Sequence, residues 1–193
     1  MRGRDIKRYG YDWADLWLIN THNGVKGKYP RIDIKDYPAI KAHLDSFGTK
    51  VTNRSDQGDT PYNLRNCAYM DDFFKTKIVW GNLNLTAAYS FAPEGMLINA
   101  PATMIVSDNE SLLCILNSKL ADYYIRQLGV TRNGGYFEYK PMFVERIPIP
   151  QNIDEKKFDK FINKERESEQ EINRLIYELY SLTEDEIRIV DEE

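Results

Sequence analysis

The sequence is poor in the residues and motifs that most often build catalytic and metal centres. Its 193 residues include two cysteines and two histidines, and Cys67 and Cys114 lack the close spacing of a zinc site. Neither of the glycine-rich phosphate-binding motifs GxGxxG and GxxxxGK[ST] occurs in the sequence. His22 and His43 are the candidates for a catalytic imidazole, and we interpret both as exposed surface residues. We therefore predict no catalytic residue, no metal site and two reduced thiols.

Long apolar stretches are also absent. The longest runs are a handful of residues, far short of the roughly 20 needed to cross a bilayer. The first residues, MRGRD, lack the apolar stretch of a signal peptide. We expect no membrane partner, no export and a cytoplasmic location. Hydrophobic residues make up 42% and charged residues 29% of the chain, a balance that favours a folded globular protein over a disordered one.

Acidic residues are unevenly distributed along the chain. The net charge is −4, which by itself argues against a nucleic-acid partner. Residues 151–193, however, hold 7 Lys and Arg against 14 Asp and Glu, and the other 150 residues carry a net charge of +3. The acidity therefore belongs to the C-terminal segment, and the rest of the chain is able to present a mildly basic face to phosphates. Many proteins without a nucleic-acid partner share this asymmetry.

Hydrophobic periodicity predicts an α+β fold, in which a mixed, mainly antiparallel sheet packs against helices and a long C-terminal helix follows. Two helices are predicted in the body, at 38–47 and 109–127. The second begins with a capping box formed by Ser107 and Glu110. The predicted strands lie at 16–19, 77–80, 96–98, 103–106 and 136–140.

The composition changes at the Ile147-Pro148-Ile149-Pro150 segment, whose prolines favour an extended link. We predict a recognition domain at 1–150 and a helical extension at 151–193. The extension contains a long helix at 155–180 with solvated middle turns at 165–171, and a short terminal helix capped by Thr183 and Glu186. We expect the long helix to pack against the body or another domain through an apolar stripe of Phe158, Phe161, Ile172, Leu175 and Leu179.

Two short segments, Asp33-Ile34-Lys35 and Glu138-Tyr139-Lys140, match the pattern (D/E)xK, which forms half of a metal-dependent nuclease site. A carboxylate and a lysine beside Mg²⁺ are able to polarise a phosphate and activate water. Three-residue patterns arise by chance in a chain this charged. Glu138 alternates with two aromatic residues, and we interpret it as a solvent-facing strand residue. We therefore assign no catalysis to either pattern.

Four segments of the sequence together resemble a known family. They are RGRDIKRYG at 2–10, RSDQGDTPYNLRNCAY followed by KIVWGNL within 54–83, LLCILNSKLADYYI at 112–125 and YKPMFVERIPIP at 139–150. In that order and spacing they resemble the TaqI-like C-terminal specificity domain, which is the target-recognition domain of certain adenine-specific DNA methyltransferases and fused restriction–modification enzymes. The closing IYELYSLTEDEIRIV resembles the segment that ends many fused type IIG enzymes.

The resemblance implies a module that recognises double-stranded DNA while an N-terminal domain of the same polypeptide methylates adenine at N6. Such a domain needs a glycine motif for S-adenosylmethionine and an Asn/Asp-Pro-Pro-Tyr/Phe motif for the flipped base. Neither motif occurs in this sequence. We therefore expect no cofactor in this chain, and we assign S-adenosylmethionine, and Mg²⁺ where a nuclease is fused, to the parent enzyme.

DNA recognition requires cations for phosphates and forked or amide side chains for base edges. The polar loop at 52–66 contains both kinds of residue. The alternative is that Arg54 pairs with Asp56 and that Arg65 caps a structural turn. The DNA contacts predicted in this loop are Asn53, Arg54, Ser55, Gln57, Asn63 and Arg65.

Two further sets of residues are candidates for DNA contact. A solvated surface is the alternative for the first set, and a plain hairpin turn is the alternative for the second. The first set, near Asn23-Gly24, is predicted to contact phosphates and consists of Lys26, Lys28 and Arg31. The second contains glycines that let a backbone approach phosphate closely, and it consists of Arg132, Asn133, Gly134 and Tyr136.

Two other functions compete with sequence-specific DNA recognition. An assembly module would dock a partner subunit through the acidic helix at 155–180. A nuclease would depend on Lys35 or Lys140. These hypotheses differ in the residues whose loss would matter, because the first needs the C-terminal helix and the second needs a carboxylate such as Glu138.

Overall fold

A computed structural model describes residues 1–158, 161 and 169–192 of the chain. The chain forms two compact units. Unit 1 contains Met1–Leu16 and Phe73–Glu193, and unit 2 contains Trp17–Asp72. The chain therefore leaves unit 1 and returns to it after the whole of unit 2. The domain boundary expected at residue 150 stays a prediction.

The described residues form short strands and helices in mixed order, which confirms the predicted α+β class. The strands are β1 Ile6–Lys7, β2 Gly10–Tyr11, β3 Lys77–Gly81, β4 Leu83–Asn84, β5 Tyr89–Ala92, β6 Ala102–Val106, β7 Thr131–Arg132 and β8 Tyr136–Glu138. The α-helices are α1 Pro38–Asp45, α2 Thr49–Thr52, α3 Glu110–Leu116, α4 Lys119–Leu128, α5 Pro141–Val144, α6 Glu169–Leu179 and α7 Glu184–Glu192. Turns of 3₁₀-helix lie at Gly3–Asp5, Ile34–Asp36, Met70–Phe74 and Glu155–Lys157.

All strand pairs of unit 1 are antiparallel. The main sheet has the order β5-β3-β6, and a smaller sheet has the order β4-β8-β7. Every residue of β3 is buried, as expected for a central strand that is covered on both faces. Trp80 of this strand packs against Tyr89, with ring centroids 5.4 Å apart.

Two of the predicted strands are wrong. Residues 16–19 form no strand, and their apolar side chains are exposed. Residues 96–98 also form no strand, and the chain terminus bonds to the backbone of this segment. The ammonium group of Met1 donates to Leu97 O at 2.6 Å, and Asn99 N donates to Met1 O at 2.8 Å. The strands expected at 77–80, 103–106 and 136–140 are confirmed in β3, β6 and β8.

The helix predicted at 109–127 is two helices, α3 and α4, with a break at Asn117 and Ser118. Ser118 begins α4, since its hydroxyl accepts from Ala121 N at 3.1 Å. The predicted cap at Ser107 is also wrong. Asn109 caps α3 by accepting from Leu112 N at 2.8 Å. Helical periodicity continues through the break and therefore gives no signal of it.

The side chain of Asn117 joins the helix pair to the main sheet. It is fully buried, and it makes two hydrogen bonds to the backbone of Tyr89, as a neighbouring strand would. Asn117 Oδ1 accepts from Tyr89 N at 2.9 Å, and Asn117 Nδ2 donates to Tyr89 O at 2.9 Å. Tyr9 N also donates to Tyr89 O, at 2.9 Å. The edge of β5 is thus closed by a side chain at this residue.

A second buried network joins the main sheet to the smaller one. Trp80 Nε1 donates to Tyr139 O at 2.6 Å, and the hydroxyl of Tyr139 donates to Asp122 Oδ1. The same oxygen accepts from Ala87 N at 2.7 Å, while Arg126 Nε donates to Asp122 Oδ2 at 2.9 Å. One carboxylate on α4 therefore holds the segment between β4 and β5 and the residue that follows β8.

The C-terminal helices pack within unit 1. Within the range 155–180, where one long helix was predicted, the described residues form a 3₁₀ turn at Glu155–Lys157 and the helix α6. Residues 159, 160 and 162–168, which include most of the expected solvated turns, lie outside the described residues. The predicted capping box is confirmed, with Thr183 N donating to Glu186 Oε2 at 2.8 Å. The apolar side chains of this segment form a cluster with α3 that contains Cys114, Ile115, Phe158, Phe161, Ile172 and Ile176.

No helix in the described part of the chain combines the length and the apolar composition that crossing a membrane requires.

Near the N-terminus, Arg2 and Asp5 form a local ion pair that stabilises the first 3₁₀ turn. Arg2 Nη2 donates to Asp5 Oδ1 at 2.7 Å, and Arg2 N donates to Asp5 Oδ2 at 2.8 Å. The Arg2 side chain, aided by this backbone bond, lowers the pKa of the buried Asp5 carboxyl to about 2 from its ordinary 3.8. The lowered pKa means that the charged form is favoured by folding.

We expect Asn117→Ala to lower the free energy of unfolding by about 1–3 kcal/mol, because Tyr89 N loses its partner in a buried position. Urea denaturation of the whole chain measures the change. The matched control is Asn152→Ala, which truncates an exposed asparagine and is expected to leave the midpoint unchanged. Equal midpoints for the two variants would contradict the assigned role of Asn117.

Asp5 predicts a pH dependence of stability. Because its pKa is lower in the folded chain, the stabilisation is complete above about pH 4 and is lost as the pH falls towards 2. We expect the difference in unfolding free energy between the wild type and Asp5→Asn to shrink over that interval. Urea denaturation at each pH measures it, over the range in which both proteins are folded without urea. A difference that stays constant with pH would refute this assignment.

Candidate nucleic-acid interfaces

The first predicted set of cations lies on unit 2, along an open groove of about 870 Å³. A tight turn builds one wall, where Val25 pairs with Tyr29 and Lys28 N donates to Val25 O at 2.9 Å. Gly24 has a φ of 76°, a conformation that glycine adopts readily. A Cβ at Gly24 would also lie 2.6 Å from Arg31 N. The turn therefore requires glycine here in order to bring its lysines beside Arg31.

Carboxylates lie beside two of the three cations of this groove. Lys28 Nζ forms an ion pair with Asp71, and this hydrogen bond raises the pKa of Lys28. Arg31 Nε lies 3.9 Å from Asp59 Oδ2. Lys26 is exposed and has no charged partner among the described residues. The groove is therefore only weakly basic, and Lys26 is its uncompensated charge.

Amide groups lie next to these cations. Asn23 Nδ2 donates to Asn66 Oδ1 at 2.6 Å and to Asp59 Oδ1 at 3.0 Å, and Asn23 Oδ1 accepts from Asp59 N at 2.9 Å. A Cβ at Gly58 would lie 2.4 Å from Asn23 Oδ1, so a glycine is needed there. Asn23 and Asp59 were not predicted as site residues. Asn23 is 36 positions from Asp59 and 43 positions from Asn66 in sequence, and no local pattern marks such a contact.

Two predicted DNA contacts of the 52–66 loop hold the loop together. Asn63 is buried, its Nδ2 donates to Ile32 O at 2.9 Å, and its Oδ1 accepts from Thr60 Oγ1 at 2.6 Å. Arg54 Nη2 donates to Asn63 O at 2.6 Å and to Pro61 O at 3.2 Å. Arg54 therefore binds the loop backbone, whereas Asn63 joins the loop to the segment that contains Ile32.

The other predicted residues of the loop are exposed. Arg65 Nη1 lies 3.4 Å from Asp56 Oδ2, and both side chains are more than two-thirds exposed. The alternative that paired Asp56 with Arg54 therefore names the wrong arginine. The three remaining exposed residues are Asn53, Ser55 and Gln57. Contact of any of these residues with DNA stays a prediction.

The predicted glycine-containing set, Arg132, Asn133, Gly134 and Tyr136, lies on the hairpin of β7 and β8 in unit 1. Gly134 and Gly135 form its turn, with φ angles of 83° and 78°. Arg132 pairs with Tyr136 across the hairpin. Both residues, together with Asn133 and the glycines, are exposed. The hairpin thus presents a cation, an amide and an aromatic ring close together.

Glu138 of β8 is buried, and the predicted solvent-facing position is wrong. Its side chain is 4% exposed and forms ion pairs with Arg132 and Lys140. Hydrogen bonds from Lys140 and Arg132 hold the pKa of Glu138 below its usual value. Simple alternation fails here because β8 is the central strand of its sheet and the two cations cover the carboxylate.

Neither nuclease-like pattern gathers metal ligands among the described residues. Asp33 Oδ1 accepts from Lys35 N at 3.0 Å and thereby caps a 3₁₀ turn. The two oxygens of Glu138 are engaged by Arg132 and Lys140. Residues 1–158, 161 and 169–192 contain no group of three His, Cys, Asp or Glu side chains placed to hold a metal ion.

A family model matches most of the chain. The family is described as the TaqI-like C-terminal specificity domain, and the match covers residues 1–149. This range contains all three predicted sets of DNA contacts. No curated protein matches the chain.

We expect Arg54→Ala and Arg65→Ala to differ in their effect on unit 2. Arg54→Ala removes the guanidinium bonds to Pro61 O and Asn63 O, of which Asn63 O keeps its bond from Gly58 N, and we expect a loss of about 1–3 kcal/mol in local stability. Arg65→Ala removes an exposed ion pair, for which about 0–1 kcal/mol is expected. Hydrogen exchange of the amides at 54–66 measures both effects. Equal protection in the two variants would contradict the assigned role of Arg54.

Proposed function

Because the chain belongs to the family of TaqI-like C-terminal specificity domains, we propose that it is the sequence-specific double-stranded DNA recognition module of a restriction–modification adenine-N6 methyltransferase. Domains of this family serve DNA target recognition in restriction–modification systems and are non-catalytic by themselves. The adenine-specific chemistry, a fused type IIG endonuclease and a cytoplasmic location are the further parts of this proposal.

The parent enzyme supplies the chemistry in this proposal. Its methyltransferase domain precedes the recognition module in the same polypeptide and binds S-adenosylmethionine. Any Mg²⁺ belongs to a fused nuclease. The recognition module provides the contacts that select the DNA sequence.

The groove of unit 2 is the observation that carries the proposal. It brings Lys26, Lys28 and Arg31 next to the amide of Asn66, whose oxygen accepts from Asn23 Nδ2. Lysine and arginine bind phosphates, whereas arginine and asparagine side chains also bond guanine and adenine edges. The groove thus combines, on one surface, the two kinds of contact that a sequence-specific DNA-binding protein uses.

The hairpin of unit 1 is a second proposed contact. Arg132 and Asn133 precede its exposed glycine turn, and Tyr136 follows it. The glycine turn lets the backbone approach a phosphate, and the exposed side chains then lie within reach of base edges or sugars. The groove and the hairpin belong to different units, and each is proposed on its own residues.

The assembly hypothesis receives no such support. Its docking stripe includes Phe158, Phe161 and Ile172, which are buried with Cys114 and Ile115 inside unit 1. These side chains are therefore already used in the fold. The described acidic helices α6 and α7 instead bury side chains within unit 1.

The proposal predicts salt-sensitive binding that depends on the groove. We compare the wild type with Lys26→Gln/Arg31→Gln by fluorescence anisotropy, using a labelled pool of random duplexes between about 50 and 200 mM salt. The double variant is expected to bind more weakly, and the slope of log affinity against log salt is expected to fall by about 2, since each lost phosphate contact contributes roughly 0.9.

The matched control is Lys35→Gln/Lys50→Gln, which removes the same charge from exposed positions of unit 2 outside the groove. It is expected to change the slope much less. Absence of binding by the wild type at low salt, or equal losses in the two double variants, would count against the groove as a DNA site.

A further inference from the structure

Glu138 places one buried negative charge between two surface cations of the hairpin. Its Oε1 accepts from Arg132 Nε at 2.5 Å, and its Oε2 accepts from Lys140 Nζ at 2.8 Å. The carboxylate is almost completely buried, whereas the side chains of Arg132 and Lys140 are 53% and 43% exposed. Each cation therefore has one side on the carboxylate and another towards solvent.

The strand register explains how this group is built. Arg132 lies opposite Tyr136, and Leu83 of β4 lies opposite Glu138. Residues 136 and 138 point to the same face of β8, since side chains alternate along a strand. Arg132, Tyr136 and Glu138 thus share one face of the small sheet, and Glu138 is the residue further from the turn.

A buried carboxylate without partners is strongly unfavourable, so Glu138 retains its cations tightly. Two cations that share one carboxylate present a net charge of +1 instead of +2. Binding to DNA that does not depend on sequence is governed by the number of phosphates neutralised. The ion pairs also hold the Arg132 guanidinium in one orientation, so that it is less free to follow any nearby phosphate.

We propose that Glu138 is a specificity-determining residue that restrains the attraction of the hairpin to DNA phosphates of any sequence. This inference rests on the proposed function of DNA recognition. With phosphate attraction restrained, binding at the hairpin depends more on what Asn133 and Tyr136 contact. Weaker sequence-independent binding also reduces the competition from the large excess of unrelated DNA.

The test is Glu138→Gln in the whole chain. Glutamine keeps an oxygen that accepts from Arg132 while it removes the charge. We expect the affinity for a labelled pool of random duplexes at low salt to rise about fivefold or more. The slope of log affinity against log salt should steepen by about 1, as for one additional neutralised phosphate. Adding Arg132→Gln and Lys140→Gln to this variant should abolish the gain.

The matched control is Glu145→Gln, which removes one exposed negative charge from unit 1 and neither ion pair. It is expected to change the affinity less than twofold. Equal affinities of Glu138→Gln and Glu145→Gln would overturn the inference, and so would a gain that survives the loss of both cations. If the wild type binds with the expected salt dependence in either case, the proposed function stands. If neither the wild type nor Glu138→Gln binds at low salt, both proposals fail.

A measurement on the unmutated chain tests the same inference without a risk of misfolding. The Arg132 Nε–H proton is followed by nitrogen-15 NMR while the random duplex pool is added at low salt, under conditions in which anisotropy reports binding. We expect this proton to keep its shift and its slow exchange, because it stays bonded to Glu138. A large shift with loss of protection would mean that Arg132 moves to phosphates, and would overturn the inference.

Discussion

The fold of unit 1 depends on a buried asparagine that substitutes for a strand. Asn117 gives both a donor and an acceptor to the backbone of Tyr89, and it does so from the break between two helices. Asn117 is the C-cap of the first helix, and Ser118, whose backbone is extended, caps the start of the next helix. One residue therefore ends α3, orients α4 and satisfies the edge of the main sheet at Tyr89.

Helix α4 in turn positions the small sheet that contains the hairpin. Asp122 lies four residues after Ser118, on the side of the helix that faces Tyr139 and Ala87. Tyr139 also accepts the indole hydrogen of Trp80 through its carbonyl. Because Tyr139 directly follows β8, this network positions the strand that holds Glu138. The segment LLCILNSKLADYYI, which carries part of the family resemblance, thus contains the buried polar residues Asn117 and Ser118, and YKPMFVERIPIP begins with Tyr139.

The candidate DNA-binding surfaces follow a different rule. Most of their cations lie near a carboxylate: Lys28 near Asp71, Arg31 near Asp59, Arg65 near Asp56, and Arg132 near Glu138. Such compensation keeps the local charge low, so that attraction to phosphate alone is moderate. Arg54 differs from these residues, because its guanidinium is used to bind loop carbonyls. A cation in a polar loop is therefore as readily a structural residue as a binding residue.

Local patterns in the sequence determined the α+β class, the central strand at 77–80, the helix that begins at Pro38 and the capping box at Thr183. Each of these depends on periodicity or on contacts between residues a few positions apart, which are visible in one chain. Only the tertiary structure decided that helix 109–127 is broken, that Glu138 is buried and that Asn23 meets Asp59 and Asn66. The break and the Asn23 contacts involve hydrogen bonds between residues far apart in sequence, and the burial of Glu138 involves the pairing of β8 with the distant strand β4. Burial of a polar side chain is favourable only when such a partner is in place, and no local pattern records where the partner lies.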